Sequence, residues 1–358
     1  MKCQWILQGR LVSGSRMAEQ FTQLDWVQQQ CRDKLNFTPF PGTLNLDIDS
    51  DYLPLVCELR EADAIGLVPR AGDGCAAKVI PLSVEGIRGA IVVPEAKVNV
   101  HGQNIVEVLA PVGLRDTLGL EDGQLLTLFA DRPGRDPLDA VIFDLDGTLL
   151  DSVGIYFEIV RNVLDRFGFP QVSMDLIREA AKDSGFEWAR ILPESALVKQ
   201  PGLRTQIQSV VEEVYRPLFE IQAKPMPGMR SIVENLVAAG FKLGIVTSTP
   251  REHAGFKLKK LKQNDSLSQF GAIVTTSDVA RQKPDPDPMI ECCRQLDVKL
   301  ENSVYIGDSR SDIQSGRAAG MKTIAVLSGF DDLHALSREF PDAVIGSVAE
   351  LGTIIGGS

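Results

Sequence analysis

The stretch Val141-Ile-Phe-Asp-Leu-Asp-Gly-Thr-Leu-Leu-Asp-Ser152 decides the fold class of the second part of this chain. An apolar, strand-like run leads straight into two aspartates two residues apart. Residues i and i+2 of an extended chain point to the same side, so Asp144 and Asp146 face one pocket at the strand's carboxyl end. Two carboxylates that close raise each other's pKa unless a cation or a proton lies between them. Gly147 lets the backbone turn tightly, and Thr148 supplies a hydroxyl to the loop. Downstream, Ile306-Gly-Asp-Ser-Arg-Ser-Asp-Ile313 adds Asp308 and Asp312 after another apolar run. The resulting set, Asp144, Asp146, Asp308 and Asp312, is the donor chemistry of a hard, oxygen-preferring ion such as magnesium. Ile245-Val-Thr-Ser-Thr249 ends a further strand with hydroxyls and backbone N–H groups suited to phosphate oxygens, which nominates Thr247 and Ser248. Lys283, stiffened by the prolines of Arg281-Gln-Lys-Pro-Asp-Pro286, can direct an ammonium at both phosphate and nucleophile. Arg251 and His253, just after Thr249, read as an exposed helix start.

Around this motif, apolar runs (Leu138–Phe143, Phe241–Val246, Ala272–Thr275, Ser303–Ile306, Thr323–Leu327) alternate with amphipathic helical patterns such as Met229–Ala239 and Pro288–Leu296. That alternation predicts a doubly wound, Rossmann-like α/β parallel sheet. Residues 152–226 read as helical throughout, without a convincing strand, and return to the sheet at Pro225-Met-Pro-Gly228, which predicts an inserted helical cap. Before Leu138, the polar segment Ala130-Asp-Arg-Pro-Gly-Arg-Asp-Pro137 reads as a linker. Ahead of it, short β-rich runs (Lys78–Val84, Gly89–Val93, Ile105–Leu109, Gln124–Phe129) with Gly and Pro turns predict a small β-barrel with little helix. The expected organisation is therefore a barrel over 1–131, a linker over 132–137, and an α/β domain over 138–358 with core 138–151 and 227–358.

Composition narrows the classes. The chain has 358 residues, 44% hydrophobic, enough for two domains with real cores. Lys and Arg number 37 against 48 Asp and Glu, a formal net charge of -11, which argues against nucleic acid or an anionic membrane surface as partner. Six cysteines without metal-type spacing, and three separated histidines, leave little material for a zinc site or a His-based triad. No apolar run reaches membrane-span length, and the start lacks a cleavable leader pattern, so a cytoplasmic protein is expected.

With its four motifs in order, Asp144-Leu-Asp-Gly-Thr148, Thr247-Ser248, Lys283 and Gly307-Asp-Ser-Arg-Ser-Asp312, the second part resembles the haloacid dehalogenase superfamily of phosphatases. The resemblance implies that Asp144 is a nucleophile forming an aspartyl-phosphate. It makes Asp146 the acid that protonates the leaving oxygen and then activates water. Thr247 and Lys283 would orient the phosphoryl group. Magnesium would lie on Asp144, the Asp146 carbonyl and Asp308, with Asp312 bracing the ligands. The cap would select the substrate.

In the first part, Gly42-Thr-Leu-Asn-Leu46 places Thr43 and Asn45 on one strand face, either as a half-buried edge or as neutral oxygen ligands for a magnesium nucleotide. Together with Val12-Ser-Gly-Ser-Arg16, Gly89-Ala-Ile-Val-Val-Pro94 and Ile105-Val-Glu-Val-Leu-Ala-Pro-Val-Gly-Leu-Arg-Asp116, this segment resembles the CTP-dependent riboflavin kinase family, a six-stranded barrel. The resemblance implies that Thr43 and Asn45 bind magnesium. Gly14, Ser15 and Arg16, with Gly113, Leu114, Arg115 and Asp116, would hold the cytidine nucleotide. Glu107 would contact the flavin and serve as base for its ribityl hydroxyl; otherwise it is a carboxylate at the core edge. The family's nucleotide loop is glycine-rich, whereas this one has a single glycine, and Glu95–Gly102 offers no hydroxyl at the family's flavin-contacting position. The expected small molecules are riboflavin, CTP and a phosphate monoester.

Overall fold

The structure is a computed structural model that describes all residues except 2, 15–16, 70–75, 95–101, 103, 134–137, 183–184, 194–201, 263–265 and 356–358. The chain forms two compact units, Lys2–Asp136 and Pro137–Ser358.

In the first unit the strands are β1 (Gln4–Val12), β2 (Leu44–Ile48), β3 (Ile65–Leu67), β4 (Ala77–Val84), β5 (Ile87–Pro94), β6 (Ile105–Leu109) and β7 (Leu125–Asp131). Six of them follow the order β4-β5-β6-β2-β1-β7 and close through Leu82↔Ala130 and Ser83↔Phe129, with β3 added outside β4. Closure removes the open edges that an antiparallel sheet would otherwise expose. The β4–β5 hairpin turns on Glu85 and Gly86, both at positive φ (46° and 77°), the primed turn that matches strand twist.

Helix is more abundant here than the sequence led us to expect. Met17–Gln23, Asp25–Leu35, Leu53–Glu61 and Leu114–Leu118 are all helical. Asp25–Leu35 buries Val27 and Cys31 fully, with Trp26 and Leu35 half-buried beside them, among glutamines and charges. These apolar residues pack with Leu67, Val79, Ala90, Val92 and Leu109 of the barrel. Leu53–Glu61 begins with a proline in its first turn, where the missing N–H costs nothing, and buries Val56 and Leu59. Periods this short are easily lost among turn residues.

The second unit has a six-stranded parallel sheet: β8 (Ala140–Phe143), β9 (Lys242–Val246), β10 (Phe270–Val274), β11 (Ser303–Gly307), β12 (Lys322–Val326) and β13 (Ala343–Ile345). The spatial order is β10-β9-β8-β11-β12-β13. The chain thus starts in the middle, winds to one side, then returns and winds to the other. Such a sheet opens a crevice at the carboxyl ends of the strands where the winding reverses, here β8 and its neighbours. The insert enters and leaves through a two-strand ribbon, Asp151↔Lys224 and Leu150↔Pro225. Its helices Val153–Arg166 and Leu203–Gln222 share a core of Val160, Val163, Leu164, Ile207 and Val210. The insert is not purely helical: Ala181–Lys182 pairs with Gly185–Phe186 in a short hairpin, too brief to show a period-two pattern.

Candidate active site

Asp144 leaves the end of β8 with its N–H on the Ile306 carbonyl (2.8 Å) and its side chain buried. The turn after it must come close to the end of β11. Gly147 has φ +80°, and a Cβ there would sit 2.4 Å from Asp308 Oδ2, so a larger residue would push the two loops apart. Asp308 is fixed at both oxygens. Oδ1 accepts from Thr148 Oγ1 (2.9 Å) and Oδ2 from the Phe330 N–H (2.9 Å).

Lys283 is 4% exposed at its side chain and donates to Asp144 Oδ1 (2.7 Å), Asp312 Oδ1 (2.5 Å) and the Tyr305 hydroxyl (3.1 Å). Asp312 is the third residue of the helix Arg310–Ala318 and forms a capping box with Ser309, so its Oδ2 accepts from the Ser309 N–H (3.0 Å) and hydroxyl (2.7 Å). Both oxygens of Asp312 are therefore engaged. Asp312 thus spends its charge on the Lys283 ammonium and braces it, whereas the two donors on Asp308 are neutral and leave its charge for a cation.

Asp144, Asp308 and Asp312 carry carboxylate oxygens that all lie within 4.8 Å of one another. Burial pushes Asp144 up to about 7, against the pull of Lys283, and pushes Asp308 well above the carboxylate range, with Asp144 and Asp312 adding like-charge repulsion. Burial opposes the Lys283 charge, but Asp144 and Asp312 more than offset it and raise its pKa. Three crowded carboxylates against one ammonium form a donor set that fits magnesium.

A pH-linked prediction follows. An aspartate with a raised folded pKa holds its proton after the unfolded chain has lost it. It therefore costs stability as pH climbs from the ordinary carboxylate range through about 7. A divalent cation competes with those protons and binds more tightly as they leave. Added magnesium should raise the melting temperature of chelator-treated protein by roughly 5–10 °C at saturation, more at about pH 8 than at about pH 5.5. A shift that is absent, or equal at both pH values, would refute a cation site on these carboxylates.

Thr247 closes the opposite side at the end of β9, with its N–H on the Val274 carbonyl (2.9 Å). Its hydroxyl accepts from the Thr249 N–H (3.1 Å), which leaves the hydroxyl proton to donate into the pocket. Ser248 is exposed and lines the same cavity. Asp146 faces the cavity from the other edge of the loop. Its Oδ2 accepts from Lys257 Nζ (2.6 Å) and Thr249 Oγ1 (3.1 Å), and its Oδ1 is buried with no hydrogen-bond partner.

Lys257 went unread in the sequence. It is one of four lysines in the helix Arg251–Lys262, and nothing local marks it. In the fold it is fully buried, donates also to the Tyr156 hydroxyl (2.9 Å) and Thr249 Oγ1 (3.0 Å), and lies 4.2 Å from the Phe219 ring centroid. Burial works against its charge, and Asp146 together with Tyr215 raises its pKa in spite of that. Arg251 is an exposed residue paired to Asp278 (2.6 Å), and His253 is half-buried against the Tyr215 ring.

Above these groups the cap and core enclose a cavity of about 550 Å³ with Asp144, Asp146, Thr247 and Asp308 at its polar end. Tyr156, Ile177, Phe186, Trp188, Tyr215 and Phe330 make up much of its apolar wall. Phe186 and Trp188 pack edge to face at 4.6 Å.

In the first unit, Thr43 Oγ1 donates to Asn45 Oδ1 (3.1 Å), so the two do share a face. Asn45 is buried and stands opposite Glu107 on β6 and Val12 on β1. Gly14 is pressed against it: a Cβ there would fall 1.8 Å from Asn45 Nδ2. Arg115 donates to the Val12 carbonyl (3.5 Å) and pairs with Asp122 (2.9 Å), which also accepts from Ser13 Oγ (2.7 Å). Gly113 precedes the helix Leu114–Leu118 and lies against the Phe40 ring; Leu114 is buried and Asp116 exposed. The fold thus brings Gly14, Thr43, Asn45 and Glu107 to one place, with Arg115 tied to the strand that leads into Gly14. Ser15, Arg16 and most of Glu95–Gly102 lie outside the described residues.

A carboxylate held by an ammonium at the end of a central parallel strand, with further carboxylates and a hydroxyl beside it, defines a phosphoryl-handling enzyme of the capped α/β type. Residues 141–326 match the family model of haloacid dehalogenase-like hydrolases, and residues 11–129 match that of the CTP-dependent riboflavin kinase domain, described as a domain of unknown function, DUF120. The chain belongs to the haloacid dehalogenase-like hydrolases and carries a riboflavin kinase-like barrel ahead of its phosphatase domain.

Among curated relatives, a phosphorylated carbohydrates phosphatase of Thermotoga maritima is 33% identical over 200 residues, 56% of this chain and 90% of that protein. A phosphoglycolate phosphatase of Nitrosospira multiformis is 26% identical over 221 residues, 61% of this chain and 96% of that protein. A haloacid dehalogenase family hydrolase of Deinococcus radiodurans, solved with bound phosphate and sodium, superposes with a TM-score of 0.51 at 27% identity, over 60% of this chain and 94% of that one. Among the described residues no helix is long and apolar enough to cross a membrane.

Proposed function

We propose that this chain is a bifunctional flavin-pathway enzyme in which the second unit hydrolyses a phosphate monoester through Asp144 and the first phosphorylates riboflavin with CTP. The observation that carries the hydrolase reading is the Asp144–Lys283 pair at 2.7 Å, buried at the polar end of the capped cavity. Asp144 attacks phosphorus, the bond to the leaving oxygen breaks, and Asp146 delivers a proton to that oxygen. Asp146 then takes a proton from water, which attacks the aspartyl-phosphate and releases inorganic phosphate and the free Asp144 carboxylate. Lys283 and Thr247 hold the phosphoryl oxygens as charge develops. Magnesium on Asp144, the Asp146 carbonyl and Asp308 would supply neutralisation of phosphate charge. In the barrel, Thr43 and Asn45 would hold the nucleotide's magnesium and Glu107 would take the proton of the ribityl hydroxyl as the phosphoryl group transfers.

For the hydrolase substrate, the aromatic wall of the cavity favours a planar heterocyclic ester, foremost the phosphorylated ribityl-aminopyrimidine precursor of riboflavin, with FMN second. That choice places the two activities in sequence rather than in opposition. Relatives named phosphoglycolate phosphatases favour a second reading, a small-phosphate hydrolase with a non-catalytic, ligand-sensing barrel. Against it, Tyr156, Phe186, Trp188, Tyr215 and Phe330 give the cavity a broad aromatic wall that a two-carbon phosphate does not need.

Incubation of the whole protein with riboflavin, magnesium and CTP or ATP should yield FMN with CTP, and Glu107→Gln should lower that yield about 10²-fold or more while sparing phosphatase activity. Parallel phosphate release from the pyrimidine precursor, FMN and phosphoglycolate ranks the substrates. No FMN from any mixture would reassign the barrel to sensing, and a preference for phosphoglycolate would overturn the heterocyclic assignment.

A further inference from the structure

Asp146 and Lys257 come from segments far apart in the chain, and the insert supplies the rest of the environment of Lys257. The Lys257 side chain has no exposure, and its three donors go to Asp146 Oδ2 (2.6 Å), Tyr156 OH (2.9 Å) and Thr249 Oγ1 (3.0 Å). The rings of Phe219, Tyr156 and Tyr215 lie 4.2, 5.3 and 5.3 Å from its nitrogen. Those three aromatics belong to Val153–Arg166 and Leu203–Gln222, the long cap helices. Thr249 Oγ1 adds a second donor to the same carboxylate oxygen at 3.1 Å. Both side-chain hydrogen bonds to the Asp146 carboxylate therefore fall on Oδ2, while the buried Oδ1 has none among the described residues.

We propose that Lys257 is a positioning residue for the leaving-group acid: with Thr249 it pins Oδ2 of Asp146 and leaves Oδ1, shielded from solvent and without a partner, as the oxygen that takes up the ester oxygen when substrate binds. The proton that passes to the leaving oxygen is then carried on Oδ1, because an oxygen already accepting from an ammonium and a hydroxyl has no room for one. Burying an ammonium in a ring of aromatics merely to fill space is poor design, since a methionine would pack there without desolvating a charge. The charge is accounted for by Asp146. The same ammonium is gripped by the cap, so the orientation of the acid depends on the cap being seated. This inference rests on the assignment of Asp146 as the acid, and its test separates the two.

The full-length protein with magnesium would be assayed on an alkyl phosphate and on 2,4-dinitrophenyl phosphate, whose leaving group needs no proton, for wild type, Asp146→Asn, Lys257→Met and the double variant. If Asp146 is the acid, Asp146→Asn lowers kcat/KM on the alkyl ester by about 10²–10⁴-fold and on the dinitrophenyl ester by under about tenfold. If Lys257 positions it, Lys257→Met shows the same selective loss, about 10²-fold on the alkyl ester, and adds little in the Asp146→Asn background. Equal losses on both esters in Asp146→Asn would sink the acid assignment itself. A leaving-group-dependent Asp146→Asn paired with a Lys257→Met that hits both esters alike, or whose loss multiplies with that of Asp146→Asn, would overturn the role of Lys257. Thr249→Val, which removes only the second hold on Oδ2, covers the case of a misfolded Lys257→Met: a selective loss of a few fold on the alkyl ester supports the inference, and a non-selective one refutes it.

Discussion

Asp144→Asn is expected to abolish phosphate release, with kcat falling about 10⁴-fold or more, while the protein stays folded and the FMN formation proposed for the barrel is unchanged. The amide is nearly isosteric but cannot form an acyl-phosphate, so the covalent route closes altogether. The fold should tolerate the change because the wild-type cluster is strained by its own charge. Burial and like-charge neighbours already push Asp144 up to about 7, and removing one of three crowded carboxylates relieves that repulsion. Lys283 would keep Asp312 and Tyr305 as acceptors. Thermal unfolding in chelator, together with initial rates of phosphate release, checks both halves. Residual activity within tenfold of wild type would place the nucleophile elsewhere, and a large drop in melting temperature would mean that Asp144 is chiefly a structural partner of Lys283.

Lys283→Met should be damaging in a different way. The thioether matches the length of the lysine but leaves Asp144 and Asp312 facing each other in a buried site without their shared cation. Removing one partner of a buried charge cluster costs about 3–5 kcal/mol because the remaining charges stay uncompensated. Turnover should fall by about 10²–10³-fold or more, the scale of losing a preorganised donor to the reacting phosphoryl oxygens. Magnesium should recover part of the stability, since it can neutralise Asp144 and Asp308, but not the rate. Denaturant unfolding with and without magnesium would measure this. A stability loss under about 1 kcal/mol would mean that the carboxylates are already compensated without the lysine.

The contrast between Asp144 and Lys257 explains how much of this protein could be read in advance. Asp144, Thr247 and Asp308 each stand at the end of an apolar run four or five residues long, and the alternation of such runs with amphipathic helices marks them as buried parallel strands. Their positions follow from local pattern, and the alternation of strands and helices then brings the strand ends together. The barrel was legible in its evenly spaced β-rich runs and turns, but the alternation of Thr43 and Asn45 with Leu44 and Leu46 pointed as readily to an edge strand, and β2 instead pairs on both sides, with β1 and β6. What escaped was structure with weak signals: the helix Asp25–Leu35, whose apolar face of Trp26, Val27, Cys31 and Leu35 is diluted by glutamines and charges, and the two-residue hairpin inside the cap.

Tyr305 is locally one more strand residue, yet its hydroxyl contacts Lys283, Asp312 and the Val246 carbonyl, anchoring three motifs to one another. Lys257 is locally just one of four lysines in its helix. Their roles depend on what lies across the interior, on partners 101 residues away for Tyr156 and 111 for Asp146. Local sequence specifies the conformation of a segment and which of its faces is apolar. Only the packed chain specifies which buried donor meets which buried acceptor, because that pairing is made between segments whose separation along the chain carries no record of it.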